Sequence, residues 1–439
     1  LELDANHRSP LPRLIPGLNH IAVRSVSCGA YHTALTDEIG DLWTFGSNEK
    51  GQLGIGNLPL TALEKIVRDP QKVVIAASSG NSRTQQCCCG FDFTVVLLHD
   101  GGVRSFGNGE SGQLGLGYDA NKKHPKSSSS PKSVPALSHA RISLVAVGDS
   151  HSLFLSADGR VFACGKHSFG RLGLGKADAD VEENSNPKAS VPRRVHFNPK
   201  QRYEKKDNIN GDHVEDVVVI GAIYAGAAAS FAVSSSGSVF AWGSNTFGAL
   251  GLAHQNDVHI PTMIPAFAEI DVRTISVGSD HCCFLSWTGN VYVAGSSRRG
   301  RLGLHRDTLC EAVPSGNDGD IALNEPFLLE YFPTLGLSVD YIAVGGAHSF
   351  AACFIRQHGD SRLSVGELRG ILSSERSIAI GKGISDPAAQ KDAVFGPKKT
   401  QTWHEFIVQI RDAFGKNCGR SASAAADLRV TVSCASTLT

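Results

Sequence analysis

One glycine pattern recurs five times in this chain, and it constrains the fold more than any other feature of the sequence. In every copy a second glycine follows the first after seventeen residues, and a Gly-x-Leu-Gly element such as Gly170-Arg171-Leu172-Gly173 closes the copy. The first glycines are Gly29, Gly90, Gly148, Gly226 and Gly278, and the second glycines are Gly46, Gly107, Gly165, Gly243 and Gly295. Agreement at several offsets in five copies identifies a repeat protein.

The residues between the two glycines predict a β-hairpin. Short β-branched and aromatic runs, such as Val161-Phe162-Ala163-Cys164, follow a turn pair such as Asp158-Gly159. Glycine after aspartate readily takes the positive φ of a tight turn between two strands. A lone hairpin buries too little apolar surface to be stable, so the copies must stack as a propeller or a solenoid.

The repeat resembles that of one β-propeller family. Counting the start at Gly345, successive first glycines lie 52 to 78 residues apart, longer than the roughly 40 to 45 residues of WD-type blades. The Gly-x-x-His start, the glycine-turned hairpin and the Gly-Gln-Leu-Gly element resemble the regulator of chromosome condensation family over residues 26–354. The resemblance implies an all-β propeller of four-stranded blades, usually seven. Six starts are present here, which predicts six blades, or seven if a degenerate C-terminal or missing N-terminal part contributes.

Three regions follow from this assignment. Residues 1–25 are a lead-in that we expect to form part of a closing blade, and Leu1 with one methionine in the chain suggests a missing N-terminus. The repeats occupy residues 26–356, with polar insertions at 118–135 and 176–216 that we expect to be mobile loops. Residues 357–439 are a degenerate blade or tail. Within the tail, the capping box at Thr402 and the apolar spacing behind it predict a helix near 403–414, and alternation predicts a strand at 428–433.

Histidine recurs three residues after the first glycine in four of the six starts: His32, His151, His281 and His348. Phe93 and Ala229 occupy this position in the other two starts. A position that accepts phenylalanine or alanine is structural more often than catalytic, so we predict buried, hydrogen-bonded imidazoles here.

The residues between that glycine and that histidine vary from copy to copy. A constant scaffold with variable loops is how repeat proteins build a binding face, and the candidates for partner contact are Tyr31, Asp92, Asp149 and Asp280. In exchange-factor members of the family that the chain resembles, an acidic residue before the histidine acts on a Ran-type GTPase. Only Gly278-Ser279-Asp280-His281 matches that pattern, and Asp92 and Asp149 are looser analogues.

Charge and cysteine usage narrow the class of partner. Lys plus Arg and Asp plus Glu number 42 each, which argues against general attraction to nucleic acid or membrane. The one candidate for nucleic-acid binding is the loop that carries Arg193, Arg194, Lys205 and Lys206. No apolar run approaches the roughly 20 residues of a membrane helix. The alternating residues Cys87, Cys88 and Cys89 face opposite sides of a strand, so no metal site is expected.

These observations favour a noncatalytic function. The sequence contains no phosphate-binding loop, nucleophile elbow or His-Glu-x-x-His zinc motif, so we expect no enzyme active site and no cofactor. The main hypothesis is a protein-binding β-propeller scaffold or regulator in the cytoplasm, the nucleus or both. The alternative that the resemblance implies is a guanine-nucleotide exchange factor for a Ran-type small GTPase.

Overall fold

The structure is a computed structural model that describes residues 14–56, 65–76, 83–118, 125–175, 188–198, 218–312, 321–353, 377–380 and 407–410. Within these ranges the chain is all-β, with two short helices, α1 (Arg306–Ala312) and α2 (Tyr331–Thr334). The sheets are antiparallel, and five of them have four strands each. Each four-stranded sheet is one copy of the repeat, and we call it a blade.

The five blades follow the chain in order. Blade 1 contains β1 (Val23–Cys28), β2 (His32–Asp37), β3 (Leu42–Ser47) and β4 (Ile66–Val73). Blade 2 contains β5 (Thr84–Cys89), β6 (Phe93–Leu98), β7 (Val103–Asn108) and β8 (Ser127–Ser133). Blade 3 contains β9 (Ile142–Val147), β10 (His151–Ser156), β11 (Val161–Lys166) and β12 (Lys188–Val195).

Blade 4 contains β13 (Ile220–Ala225), β14 (Ala229–Ser234), β15 (Val239–Gly243) and β16 (Val258–Met263). Blade 5 contains β17 (Val272–Val277), β18 (His281–Ser286), β19 (Val291–Ser296) and β20 (Ala322–Leu328). Two further pairs, β21 (Tyr341–Val344) with β22 (Ser349–Ala352) and β23 (Ser377–Ile380) with β24 (Ile407–Ile410), complete the described strands. The predicted all-β fold of repeated blades is confirmed, and the number of blades stays a prediction.

The chain divides into two compact units. Unit 1 comprises Leu1–Thr246 and Leu250–Asp271 and holds blades 1 to 4. Unit 2 comprises Phe247–Ala249 and Val272–Thr439 and holds blade 5 with β21 to β24.

The core of unit 1 lies between consecutive blades. The second strand of a blade is therefore covered on both faces. All six residues of β6, β10 and β14 are buried. One apolar cluster joins blades 1 and 2, a second joins blades 2 and 3, and a third joins blades 3 and 4 around Trp242. In unit 2 the corresponding cluster joins blade 5 to β21 and β22. Stacking thus supplies the burial that a single hairpin lacks.

Two predicted insertions contain strands instead of mobile loops. Ser127–Ser133 is β8, and Lys188–Val195 is β12. Each is the fourth strand of its blade and pairs on one side only, with β7 and β11 respectively. An edge strand needs only backbone pairing and tolerates polar residues and proline, so composition was a poor guide there. Within these insertions, residues 119–124, 176–187 and 199–216 lie outside the described residues.

The predicted helix near 403–414 is wrong for its central residues. Ile407–Ile410 is a strand that pairs with Ser377–Ile380. Three of its four residues, Ile407, Val408 and Ile410, are β-branched and favour extended backbone, and a pairing partner outweighs the helical spacing. The remainder of that helix, the predicted strand at 428–433 and most of the lead-in lie outside the described residues.

The hairpin glycines have the predicted positive φ, for example +84° at Gly101 and +80° at Gly159. We expect Gly159→Val to destabilise the chain by about 3 kcal/mol, since a β-branched residue is strained at this φ. Its Cβ would also lie 2.4 Å from Val219 Cγ1. Urea unfolding of the two proteins measures the difference.

Gly221→Val is the matched control. Gly221 lies in β13 without a positive φ, and a Cβ there meets its nearest atom at 3.7 Å, an ordinary contact. A Gly159→Val protein as stable as the Gly221→Val protein would contradict the turn assignment.

Candidate functional site

The Gly-x-x-His loops and the Gly-x-Leu-Gly elements lie at the same end of each blade. The loop joins the first strand to the second, and the third strand runs antiparallel to the second. In blade 3 His151 therefore pairs with Gly165, five residues before the Gly170–Gly173 element. We call this the loop end of a blade.

Backbone hydrogen bonds join the loop ends of blades 1 to 4 within unit 1. Ala30 N donates to Phe91 O (3.1 Å), Phe91 N to Asp149 O (3.3 Å), and Asp149 N to Ala227 O (3.3 Å). The same second position of each loop makes the link every time. We call the connected loops 29–32, 90–93, 148–151 and 226–229 the loop face.

In blades 1, 3 and 5 the first glycine of the loop is required by its close approach to the backbone of the following loop. A Cβ on Gly148 would lie 2.2 Å from Gly226 O and 2.2 Å from His151 Cε1. In unit 2 a Cβ on Gly278 would lie 2.5 Å from Gly345 O. Any side chain would push consecutive blades apart.

The loop histidines bind the following blade through a side-chain hydroxyl. His32 Nε2 lies 2.9 Å from Thr94 Oγ1, His151 Nε2 lies 2.9 Å from Ser230 Oγ, and His281 Nε2 lies 3.0 Å from Ser349 Oγ. Two of these hydroxyls donate onward to a Gly-x-Leu-Gly carbonyl, Thr94 to Gln52 O and Ser230 to Arg171 O, both at 2.8 Å. A hydroxyl has one proton, so it must accept from the histidine, which assigns the proton to Nε2. We call this the interblade hydrogen-bond chain.

These imidazoles are neutral at physiological pH. Burial lowers the pKa of His32 to about 4 and the pKa of His151 and His281 to about 3. They are almost fully buried and cannot touch a partner or exchange protons with a substrate. Their arrangement supports a structural role for the histidines. Contact with a partner would then be made by the residues beside them.

An aromatic pair is the largest exposed apolar feature of the loop face. The rings of Tyr31 and Phe91 meet edge to face with centroids 5.9 Å apart, and the residues are 50% and 45% exposed. Sequence reasoning selected Tyr31 but missed Phe91. The available signal was that Phe91 fills the variable second position of its loop, as Asp149 does.

Two of the predicted acidic candidates lie on the same face. Asp92 accepts a hydrogen bond from Asn108 Nδ2 at 2.8 Å, and burial raises the pKa of its carboxyl group. Desolvation also raises the pKa of Asp149, while the charge of Arg171 acts in the opposite direction. The loop face thus combines an apolar patch with two carboxylates.

Asp280, the fourth candidate, lies at the loop end of blade 5 in unit 2. Its Oδ2 accepts a hydrogen bond from Arg301 Nη1 at 3.2 Å. The side chain of Asp280 is 39% exposed, whereas that of Arg301 is 5% exposed. Asp280 is therefore the carboxylate partner of a buried cation, a role that the sequence did not predict.

The alternative basic site is only partly described. Arg193 and Arg194 lie in β12, where they pair with Ala163 and Phe162, and Lys205 and Lys206 lie outside the described residues.

Cys87 and Cys89 are buried, and burial raises the pKa of both thiols. Across the described ranges, no three His, Cys, Asp or Glu side chains are arranged to hold a metal ion. None of the described helices is long and apolar enough to span a bilayer.

Repeated four-stranded blades with variable loops at one end define a β-propeller protein. The profile of the RCC1-like domain family matches residues 3–359. The chain belongs to this family, as the resemblance in its repeats indicated.

Relatives of known name share this region. The human probable E3 ubiquitin-protein ligase HERC6 is 31% identical over 261 residues, which cover 59% of this chain and 22% of that protein. The ultraviolet-B receptor UVR8 of Arabidopsis thaliana is 28% identical over 309 residues, which cover 69% of this chain and 59% of the receptor. The chain thus spans less than two thirds of the length of these relatives.

Solved structures show the same fold. Prp20p of Saccharomyces cerevisiae is 25% identical with a TM-score of 0.63, and the match covers 80% of this chain and 74% of Prp20p. Human WBSCR16 is 23% identical with a TM-score of 0.57, and the match covers 75% of this chain and 71% of that one.

The buried histidines predict a specific response to acid. In the unfolded chain histidine has a pKa near 6.5, so unfolding takes up protons as the pH falls from 6.5 toward the folded values. Stability from the neutral imidazoles is complete above pH 6.5 and is lost below it, approaching about 1.4 kcal/mol per pH unit for each histidine. We expect His151→Phe to remove one such contribution from the slope between pH 6 and pH 5.

Phenylalanine is chosen because Phe93 occupies the equivalent position in blade 2. Urea unfolding at a series of pH values gives the slopes. His139→Gln, at an exposed position outside the interblade hydrogen-bond chain, is the control. An identical slope for wild type and His151→Phe would mean that His151 is protonated in the folded protein.

Proposed function

We propose that this chain is a noncatalytic protein-binding β-propeller and that its partner docks on the loop face. The observation that carries the proposal is the exposed Tyr31–Phe91 pair, which stands on loops held in place by the buried side chains of His32 and Phe93. Exposed aromatic residues are enriched among those that dominate binding energy. Asp92 and Asp149 add charge beside this apolar patch.

The chemistry of the loop face also supports binding over catalysis. A general base at neutral pH needs an accessible group that titrates near 7, but the loop histidines are buried and neutral. The HERC relatives are named as ubiquitin ligases, and this chain covers 22% of HERC6 and 29% of HERC4. A partner-recognition module within a larger assembly is consistent with that partial coverage.

Affinity capture tests the proposal. We expect the purified chain to recover a specific partner from extract and Tyr31→Ala/Phe91→Ala to lose it. The loss should exceed tenfold, since two exposed aromatic anchors contribute at least about 1.4 kcal/mol together. The partner's yield is measured by quantitative mass spectrometry.

Ile39→Ala is the matched control. Ile39 is an exposed apolar residue in the β2–β3 hairpin, at the opposite end of the blade that carries Tyr31. Equal recovery by the double variant and the wild type would place the binding surface elsewhere, and loss with Ile39→Ala would do the same.

A second candidate is guanine-nucleotide exchange on a Ran-type GTPase. It is favoured by the Gly278-Ser279-Asp280-His281 match and by the likeness to Prp20p, whose reported structure is described together with its binding to Gsp1p and histones. Exchange needs a surface that stabilises the GTPase with its nucleotide released, and it needs no cofactor. Asp280 is exposed enough to contact a GTPase, although it also holds Arg301.

Release of labelled GDP from Ran-type GTPases tests this candidate. We expect Asp280→Asn to lower stimulated release more than tenfold, because a carboxylate desolvated in the complex contributes about 2 kcal/mol or more. Asparagine can still accept from Arg301, so it is preferred to alanine. Melting temperatures of the wild type and of Asp280→Asn separate lost contact from lost stability. Absence of any stimulated release by the wild type would eliminate this candidate.

A further inference from the structure

Blades 3 and 5 carry an arginine in the Gly-x-Leu-Gly element, where blades 1 and 2 carry glutamine. The four residues are Arg171, Arg301, Gln52 and Gln113. Arg171 and Arg301 are each only 5% exposed. A buried guanidinium is costly unless an anion balances it, so the partner of each arginine is informative.

The backbone around the two arginines is the same. Arg171 Nε donates to Ser168 O at 3.0 Å, and Arg301 Nε donates to Arg298 O at 2.8 Å. The residue before each loop histidine accepts an equivalent backbone bond, Lys166 N to Ser150 O and Ser296 N to Asp280 O, both at 2.9 Å. Ser150 therefore stands where Asp280 stands in blade 5.

The difference lies in the carboxylate. Arg301 Nη1 binds Asp280 Oδ2 at 3.2 Å, whereas Arg171 Nη1 binds the carbonyl of Ala227 at 3.3 Å. No carboxylate of the described residues lies within ion-pair distance of Arg171, and its Nη2 has no hydrogen-bond partner among them. Because Nη2 is not among the described polar atoms that are both buried and unpaired, it is accessible to solvent. Asp149 and Asp257 attract the guanidinium electrostatically from beyond that distance.

An exposed aromatic ring lies beside this cation. Phe169 has a φ of +64°, which is uncommon for a residue with a side chain, and its ring centroid lies 5.5 Å from Arg171 Cζ. Arg299, the equivalent residue in blade 5, has a φ of +60°, so this turn is common to both arginine-bearing elements and only the aromatic side chain is particular to blade 3. The ring offers an apolar surface next to the place where a carboxylate would meet the guanidinium.

We propose that Arg171 receives a carboxylate from a partner protein, in the position that Asp280 occupies for Arg301, with an adjacent apolar side chain against Phe169. The occupant is an acidic peptide segment with an apolar residue beside its Asp or Glu. This inference rests on the proposed function and specifies the chemistry of its partner. A monoanion fits better than a phosphate of charge near −2. Asp149, which directly precedes Ser150 in the loop 148–151, would repel the second charge.

A random-peptide phage library selected on the whole chain tests the inference. We expect the enriched peptides to contain Asp or Glu next to an apolar residue. Synthetic versions measured by fluorescence anisotropy should bind roughly tenfold more weakly when the acidic residue is replaced by its amide, the usual range for one charge-assisted bond. Tighter binding of a phosphoserine version would overturn the assignment.

Two variants of the chain separate recognition from folding. Arg171→Gln copies the residue found in blades 1 and 2 and should bind the peptide roughly tenfold more weakly. Ser150→Asp supplies the missing carboxylate from within, so it should raise the melting temperature while also weakening peptide binding. A misfolded protein cannot produce that combination.

Arg301→Gln is the control and should leave peptide binding unchanged. Unchanged binding by Arg171→Gln and Ser150→Asp, or enrichment of peptides without acidic residues, would overturn the inference but not the proposed function. Failure to enrich any peptide would also overturn it, while affinity capture through Tyr31 and Phe91 remains a separate test of the proposed function.

Discussion

The hydrogen bond from a loop histidine to a hydroxyl of the following blade joins blade 1 to blade 2 and blade 3 to blade 4 at the loop face, whose other two loops carry Phe93 and Ala229 at the histidine position. It requires glycine at the start of the loop, because any Cβ there would collide with the following backbone and with the histidine ring itself. It requires a neutral imidazole, which burial maintains. It ends on the Gly-x-Leu-Gly carbonyl, so three sequence elements are joined in one contact.

Because the loop backbone fixes the spacing of the blades, the side chains at the variable loop positions can differ and can serve in recognition. In unit 1 the second residue of each loop bonds through its backbone to the next loop, so its side chain can change without disturbing the link. Phenylalanine, aspartate and alanine all occur at that position. The loop face can therefore vary its surface chemistry on a constant frame, which is the usual arrangement in repeat proteins that bind partners.

The two buried arginines show how one frame gives two different surfaces. Asp280 satisfies Arg301 inside blade 5, whereas Ser150 is too short to reach Arg171 in the same way and a backbone carbonyl takes its place. A change of one residue thus converts an internal ion pair into a cation that an outside carboxylate can meet. It also means that Asp280 cannot be judged as a purely surface contact.

The sequence by itself determined the repeat, the glycine turns, the family and the positions of the loop histidines, because backbone sterics and strand periodicity act locally and leave a fixed spacing. The tertiary structure alone decided which groups meet across blades: Tyr31 with Phe91, Asp280 with Arg301, and Ser127–Ser133 as an edge strand despite its polar composition. It also placed Ile407–Ile410 in a strand, since pairing with a distant segment outweighs local helical spacing. Such contacts depend on stacking, which no local pattern records.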